Sequence, residues 1–258
     1  MEIFVLAFFA LGYLVLAGAD IGVGMTLPYL GRSAAERREV IAAIAPFFLG
    51  NEVWLVATAG VLAGLFPELE GELLSGNYSL VVALLLAWVV RDMGLWLRGR
   101  VPGTPWQTFW DGAIVAGSWG LALSWGLLLS HVLLGMDGLF AVLPALVLAA
   151  LFATHGLTFA ALRLRGVLRE RATVLSGGTG HGRSVGAGWL GVDARTYALT
   201  SAALLAVGVL AGLRLPLEPG TSGAVLVPVI LVLIPLLVAA QGWVWWTFRH
   251  RVTGPSYL

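Results

Sequence analysis

The chain has 258 residues, of which 59% are hydrophobic and 11% charged, and a formal net charge of +1. Soluble domains are about 25% charged, so this composition, with a mean hydropathy of +0.91, argues against a soluble globular enzyme, and the near-zero charge gives no basic field for nucleic acid. Cysteine is absent, which removes disulfides, thiolate metal or iron–sulfur sites and thiol nucleophiles from consideration.

The apolar content has room for roughly seven helical spans of about 20 residues. In chain order they are expected at about Ile3 to Leu30, Ile41 to Phe66, Tyr78 to Leu97, Thr108 to Leu134, Leu139 to Leu162, Tyr197 to Leu213 and Ala224 to Phe248. The first run ends near Ala17-Gly18-Ala19, which resembles a leader cleavage site. Its only early charge is Glu2, whereas a leader needs a basic start, so it reads as a span. Helices are expected throughout, because lipid leaves no other partner for an open strand's backbone and no in–out alternation suggests a barrel. The fold class is therefore an all-α polytopic membrane protein.

The loops sort by charge. The first carries Arg32, Arg37 and Arg38, the third Arg98 and Arg100, and the fifth Arg163, Arg165, Arg169, Arg171, Arg183 and Arg195; the tail adds Arg249 and Arg251. The second carries Glu68, Glu70 and Glu72, the fourth Asp137, and the sixth Arg214 and Glu218. The positive-inside rule then places the odd loops and the C-terminus in the cytoplasm and the N-terminus outside. A shift of about 134 residues takes Asp20 to the region of His155 and Glu36 to that of Glu170, as a duplicated unit would. Two units are accordingly expected. Residues 1–135 form a four-helix unit, and residues 136–258 a related, truncated three-helix unit with a Gly/Arg-rich cytoplasmic loop at about 163–195.

Ionisable groups within a bilayer are costly and mark functional candidates. Asp20, Glu52, Arg91, Asp92 and Asp111 lie in the first four spans. Counted from the first cytoplasmic turn at 1.5 Å per residue, Asp20 and Glu52 lie roughly 15 and 20 Å deep, close enough to share a site. Arg91 should lie about 10 Å inside the cytoplasmic boundary, where a guanidinium needs a partner; Asp92, Asp111 and Asp20 are the candidates, with Asp111 or Asp92 preferred. Asn51 adds a hydrogen-bonding amide next to Glu52. Asp20 and Glu52 read as proton-relay candidates, and Asn51, Arg91, Asp92 and Asp111 as a structural ion pair or polar cluster. No catalytic or metal-ligating set stands out.

His131 and His155 raise the question of haem ligation. His131 falls near the outer end of the fourth span and His155 roughly 20 Å deeper, so a polar contact for His155 is the better reading. The run Gly177-Gly178-Thr179-Gly180-His181-Gly182-Arg183-Ser184 matches a phosphate-loop pattern with Arg for Lys, but it joins two membrane spans instead of following a buried strand.

Four segments together resemble a known family: GADIGVGMTLPYLGRSAAERR from Gly18, IAPFFLGNEVWLVATAG from Ile44, VRDMGLWLRGR from Val90 and WQTFWDGAIVAGS from Trp106. In order and spacing they resemble subunit II of the cytochrome bd-type quinol oxidases, from about Gly18 to Ser118. The resemblance implies a membrane partner of a haem-bearing subunit I in a complex that passes electrons from quinol to oxygen in the aerobic respiratory chain. All haem ligands would belong to that partner, none to this chain. This subunit would stabilise the haem assembly and contribute to proton or oxygen access, with quinone or lipid as further ligands of the complex. It also implies the plasma membrane of a prokaryote. The chain departs from the family at Phe48-Leu49-Gly50-Asn51, where many members have Trp-Asp-Gly-Asn; Leu49 replaces the Asp assigned to proton uptake. Seven spans instead of eight further suggest a shortened second half. Two alternatives remain at this level: a small-solute or ion transporter using Asp20 and Glu52, and a structural anchor of another quinol-linked redox complex.

Overall fold

The computed structural model describes residues 1–177, 192–252 and 254. Among these residues all regular structure is helical. The ten helices are α1 (Glu2–Leu30), α2 (Ala34–Ile44), α3 (Phe48–Leu65), α4 (Pro67–Gly76), α5 (Tyr78–Leu97), α6 (Thr104–Leu134), α7 (Leu139–Arg163), α8 (Gly166–Leu175), α9 (Val192–Gly212) and α10 (Gly223–Thr247). Seven of them (α1, α3, α5, α6, α7, α9 and α10) are long and apolar enough to cross a membrane. The all-α, seven-span expectation holds. The phosphate-loop-like run from Gly178 to Ser184 lies outside the described residues.

Three short helices replace stretches expected to be loop or span. The second span was expected from Ile41, but α2 and α3 are separate helices with a break at residues 45–47. Pro46 lies in that break; it has no N–H to donate and its ring opposes a helical residue before it. Upstream, Ser33 and Glu36 form a capping box, each side chain accepting from the other's backbone N–H, which sets the start of α2. Pro67 occupies the first turn of α4, with Glu68 and Glu70 beside it, where a missing N–H costs nothing and negative charge suits the helix dipole. In the fifth loop, α8 buries Leu168 and Ala172 against the bundle.

The long α1 is the central staff, buried along most of its length. It crosses α7 at a pair of glycines. A Cβ on Gly22 would lie 1.9 Å from the Phe152 carbonyl oxygen, and one on Gly156 would lie 2.2 Å from the Gly22 carbonyl carbon, so the two backbones touch as small residues allow. Helix α6 ends on Gly135 in the left-handed region, whose N–H bonds to the His131 carbonyl, a glycine-favoured stop. By contrast α9 and α10 lie on the outside, with only 11% of each span's window buried.

The arginine-bearing loops gather at one end of the bundle. Arg171 of α8 pairs with Glu36 of α2, and Arg37 of α2 pairs with Asp111 of α6. The tail joins them: Arg169 and Arg251 both reach Asp193, and Arg251 also donates to the carbonyls of Ala161 and Leu164. At the opposite end the Gly220 N–H bonds to the Leu65 carbonyl.

Candidate functional site: a buried ionic cluster

Helices α1, α3 and α5 bring together Asp20, Asn51, Glu52, Arg91 and Asp92. Arg91 Nη2 lies 3.0 Å from Asp20 Oδ1, and Arg91 Nη1 lies 3.2 Å from Glu52 Oε1 and 3.1 Å from Asp92 Oδ1. The Asn51 amide donates to Asp20 Oδ2 at 3.1 Å and to the Leu16 carbonyl at 2.9 Å. The Arg91 guanidinium also lies 5.9 Å from the Phe48 ring centroid, within cation–π range. Asp20 and Arg91 are enclosed, whereas the Glu52 and Asp92 side chains are 12% and 21% exposed. On its open side Asp92 joins Trp88, Val89, Met93, Trp96 and Leu97 around a surface groove of about 430 Å³.

Local sequence explains how so crowded a site fits. At Gly117 a Cβ would lie 2.6 Å from the Arg91 backbone N, and at Gly94 one would lie 2.6 Å from an Ile114 side-chain carbon, so α5 and α6 press together around the arginine. At Gly24 a Cβ would meet Ser118 Oγ at 2.1 Å, so α1 closes on α6 in the same way.

The expectation of an Arg91–Asp111 pair is corrected. Asp111 instead accepts from Arg98 Nε and from Arg37 Nε, the latter at 2.7 Å, while Arg98 also donates to the Ala34 carbonyl. Asp111 lies in the first third of α6 near the arginine-rich end, and Arg98, the C-cap residue of α5 two turns beyond Arg91, is a cation at its level. Among Arg91's expected partners, Asp92 and Asp20 are in contact with it, and so is Glu52. The depth count for Glu52 also needs revision. The break at Pro46 makes Glu52 the fifth residue of α3, not part of a helix continuous from Ile41. Leu49 is 49% exposed, whereas Glu52 enters the cluster through Arg91.

Sequence reasoning passed over Gln241. This α10 amide donates from Nε2 to Asn51 Oδ1 at 2.9 Å, and its Oε1 accepts from Trp54 Nε1 at 3.4 Å. A search confined to ionisable residues misses it, although an amide within an apolar span was a signal. Each of the two imidazoles makes a polar contact. His155 is buried, with Nδ1 on Thr200 Oγ1 and Nε2 on the Val15 carbonyl, and its ring stacks on Tyr197. His131 Nδ1 is 2.7 Å from the exposed Asp137 carboxylate. His155 thus has both ring nitrogens engaged, and among the described residues no group of three His, Cys, Asp or Glu could hold a metal ion.

Seven apolar helices around a buried guanidinium–carboxylate cluster define a polytopic membrane protein with a polar centre inside its bundle. Comparison with known proteins places it more narrowly. Residues 1–219 match the family model described as cytochrome bd terminal oxidase subunit II, and the chain belongs to that family. It is 33% identical to cytochrome bd ubiquinol oxidase subunit 2 of Bacillus subtilis, over 62% of this chain and 52% of that protein. It is 32% identical to cytochrome bd-I ubiquinol oxidase subunit 2 of Escherichia coli K12, over 63% and 48%. The chain spans about half the length of the curated relatives it matches.

Proposed function

We propose that this chain acts as the subunit II partner of a haem-bearing subunit in a quinol:oxygen oxidoreductase, and that its buried ionic cluster handles protons. Family membership supports the partnership. One observation carries the proton role: three carboxylates share a single guanidinium. Full ionisation would leave two negative charges uncompensated away from water, so a cluster of this composition is suited to taking up and releasing protons. Glu52 and Asp92 form its accessible side and Asp20 its enclosed side. Glu52 thus offers a titratable group one helical turn from Leu49, where the family's carboxylate is missing.

The haem and quinol would be supplied by the rest of the complex; the buried His155 has both ring nitrogens committed, to Thr200 and to the Val15 carbonyl. The arginine-rich end would face the cytoplasm, with the N-terminus outside, in a prokaryotic plasma membrane. A two-unit organisation, 1–135 and 136–258, is part of this reading. It is supported by the α1–α7 crossing at Gly22 and Gly156, which are 134 positions apart, and by the short helices α2 and α8 that follow those two spans.

Glu52→Gln tests the proton role, because it keeps size and hydrogen bonding and removes the titratable proton. The expected result is a fall of about tenfold or more in quinol-driven oxygen consumption at unchanged haem content, within the range attributed to positioned acid–base groups. Undiminished turnover at normal haem loading would mean that protons enter elsewhere.

A further inference from the structure

The polar cluster does not end at Asn51. Helix α10 lies outside the residues matched by the family model and is mostly exposed along its length. Its Gln241 nevertheless makes two specific hydrogen bonds with α3, which continue to α1: Trp54 N–H to Gln241 Oε1, Gln241 N–H to Asn51 Oδ1, and then Asn51 N–H to Asp20 Oδ2. Every donor in this sequence points toward the Asp20 carboxylate. A chain of hydrogen bonds aligned in one sense polarises each successive bond. Gly50 lies against this amide: a Cβ there would sit 3.3 Å from Gln241 Oε1.

We propose that Gln241 is a positioning residue for the carboxylate cluster. It holds the Asn51 amide so that Oδ1 is satisfied from α10 while both N–H groups face α1, one on Asp20 and one on the Leu16 carbonyl. The Asn51 amide is nearly symmetric in shape, so packing alone does not distinguish its oxygen from its nitrogen; donors and acceptors must. Leu16 and Asp20 define the nitrogen side, and Gln241 is the donor that defines the oxygen side. Without it Oδ1 is a partly buried acceptor with no donor, which favours rotation of the amide away from Asp20.

The functional weight of this role rests on the proton-handling reading above, and the test separates the two. The probe is infrared difference spectroscopy of the full chain in its membrane complex, with the Asp20 carboxyl band assigned by its loss in Asp20→Asn. Gln241→Met keeps the length of the side chain and removes both hydrogen bonds. The expected result is a shift of the Asp20 band by several wavenumbers. In an Asn51→Ala background the same substitution should add no further shift, because Gln241 acts through Asn51. If Gln241→Met does not assemble, Gln241→Asn, which withdraws the amide by one methylene, should shift the band in the same sense. An unmoved band in either assembled variant overturns the proposal, as does an additional shift in the Asn51→Ala background. Turnover of Glu52→Gln is independent of this readout. An unmoved Asp20 band with slow Glu52→Gln turnover removes the role of Gln241 and leaves the proton relay, and the opposite pair of results does the reverse.

Discussion

Removing the guanidinium of Arg91 would leave Asp20, Glu52 and Asp92 facing one another, with no other cation among the described residues in contact with all three. Breaking a buried ion pair by deleting one partner typically costs about 3–5 kcal/mol, because the surviving charge is uncompensated. Arg91→Met should therefore lower the yield of assembled protein and its thermal stability by an amount of that order. Adding Asp20→Asn should recover part of the loss, since one uncompensated charge is removed with it; non-additivity of this kind is expected of residues in one network. Melting of purified Arg91→Met and Arg91→Met/Asp20→Asn provides the check, and a single variant as stable as the parent would contradict the arrangement. At this scale the identity of the participants was largely readable. Asp20, Asn51, Glu52, Arg91 and Asp92 stand out as polar groups in apolar runs. Their partnering was not readable, because Asp92 and Asp111 are equally plausible for Arg91 until the level of each on its helix is known. Only then does Asp111 fall beside Arg98 and Arg37.

Helices α2 and α8, which sequence periodicity did not separate from their loops, are tied to each other by charge. Arg171 Nη1 and Nη2 lie 2.8 and 3.1 Å from the two Glu36 carboxylate oxygens, and Nη1 also reaches the Leu30 carbonyl at 2.8 Å. Glu36 further accepts from the backbone N–H groups of Arg32 and Ser33. The hydrogen bond from Arg171, followed by that from the Arg32 backbone, holds the Glu36 carboxyl well down, at about 2 against an ordinary 4.5. A carboxyl depressed in the folded state stabilises fully above its unfolded value, and that contribution is lost as pH falls through the folded value. The joint between α2 and α8 should therefore be insensitive to pH near neutrality and weaken between about 4.5 and 2. Thermal melting should show Glu36→Gln less stable than the parent at neutral pH, with the difference closing across that acid window. A constant difference down to the lowest pH would show that this carboxylate does not carry the joint. Ser33 and Glu36 have the spacing of a capping box, a local signal for α2 that the reading of apolar runs passed over. No comparable local signal announced α8, whose stability comes from burying Leu168 and Ala172 against the bundle.

For the molecule as a whole, the proposed partnership with a haem-bearing subunit rests on family membership. Expressed alone, the chain should incorporate no haem; expressed with the subunit I of its complex, it should co-purify with a haem-containing membrane protein. A reduced-minus-oxidised spectrum of each preparation decides this, and stoichiometric haem on the isolated chain would overturn the division of labour. The sequence by itself determined the class of molecule and the number of spans, because the cost of burying charge and backbone in lipid acts on each segment separately and leaves its mark in composition. It also determined which polar residues are candidates, for the same reason. Tertiary structure alone decided that α1 and α7 cross backbone to backbone at Gly22 and Gly156, that Asp111 serves Arg98 and Arg37, and that Gln241 reaches Asn51 across 190 positions. Those outcomes depend on the rotation and level of one helix against another. They are set by packing between distant segments, and no local run of residues encodes them.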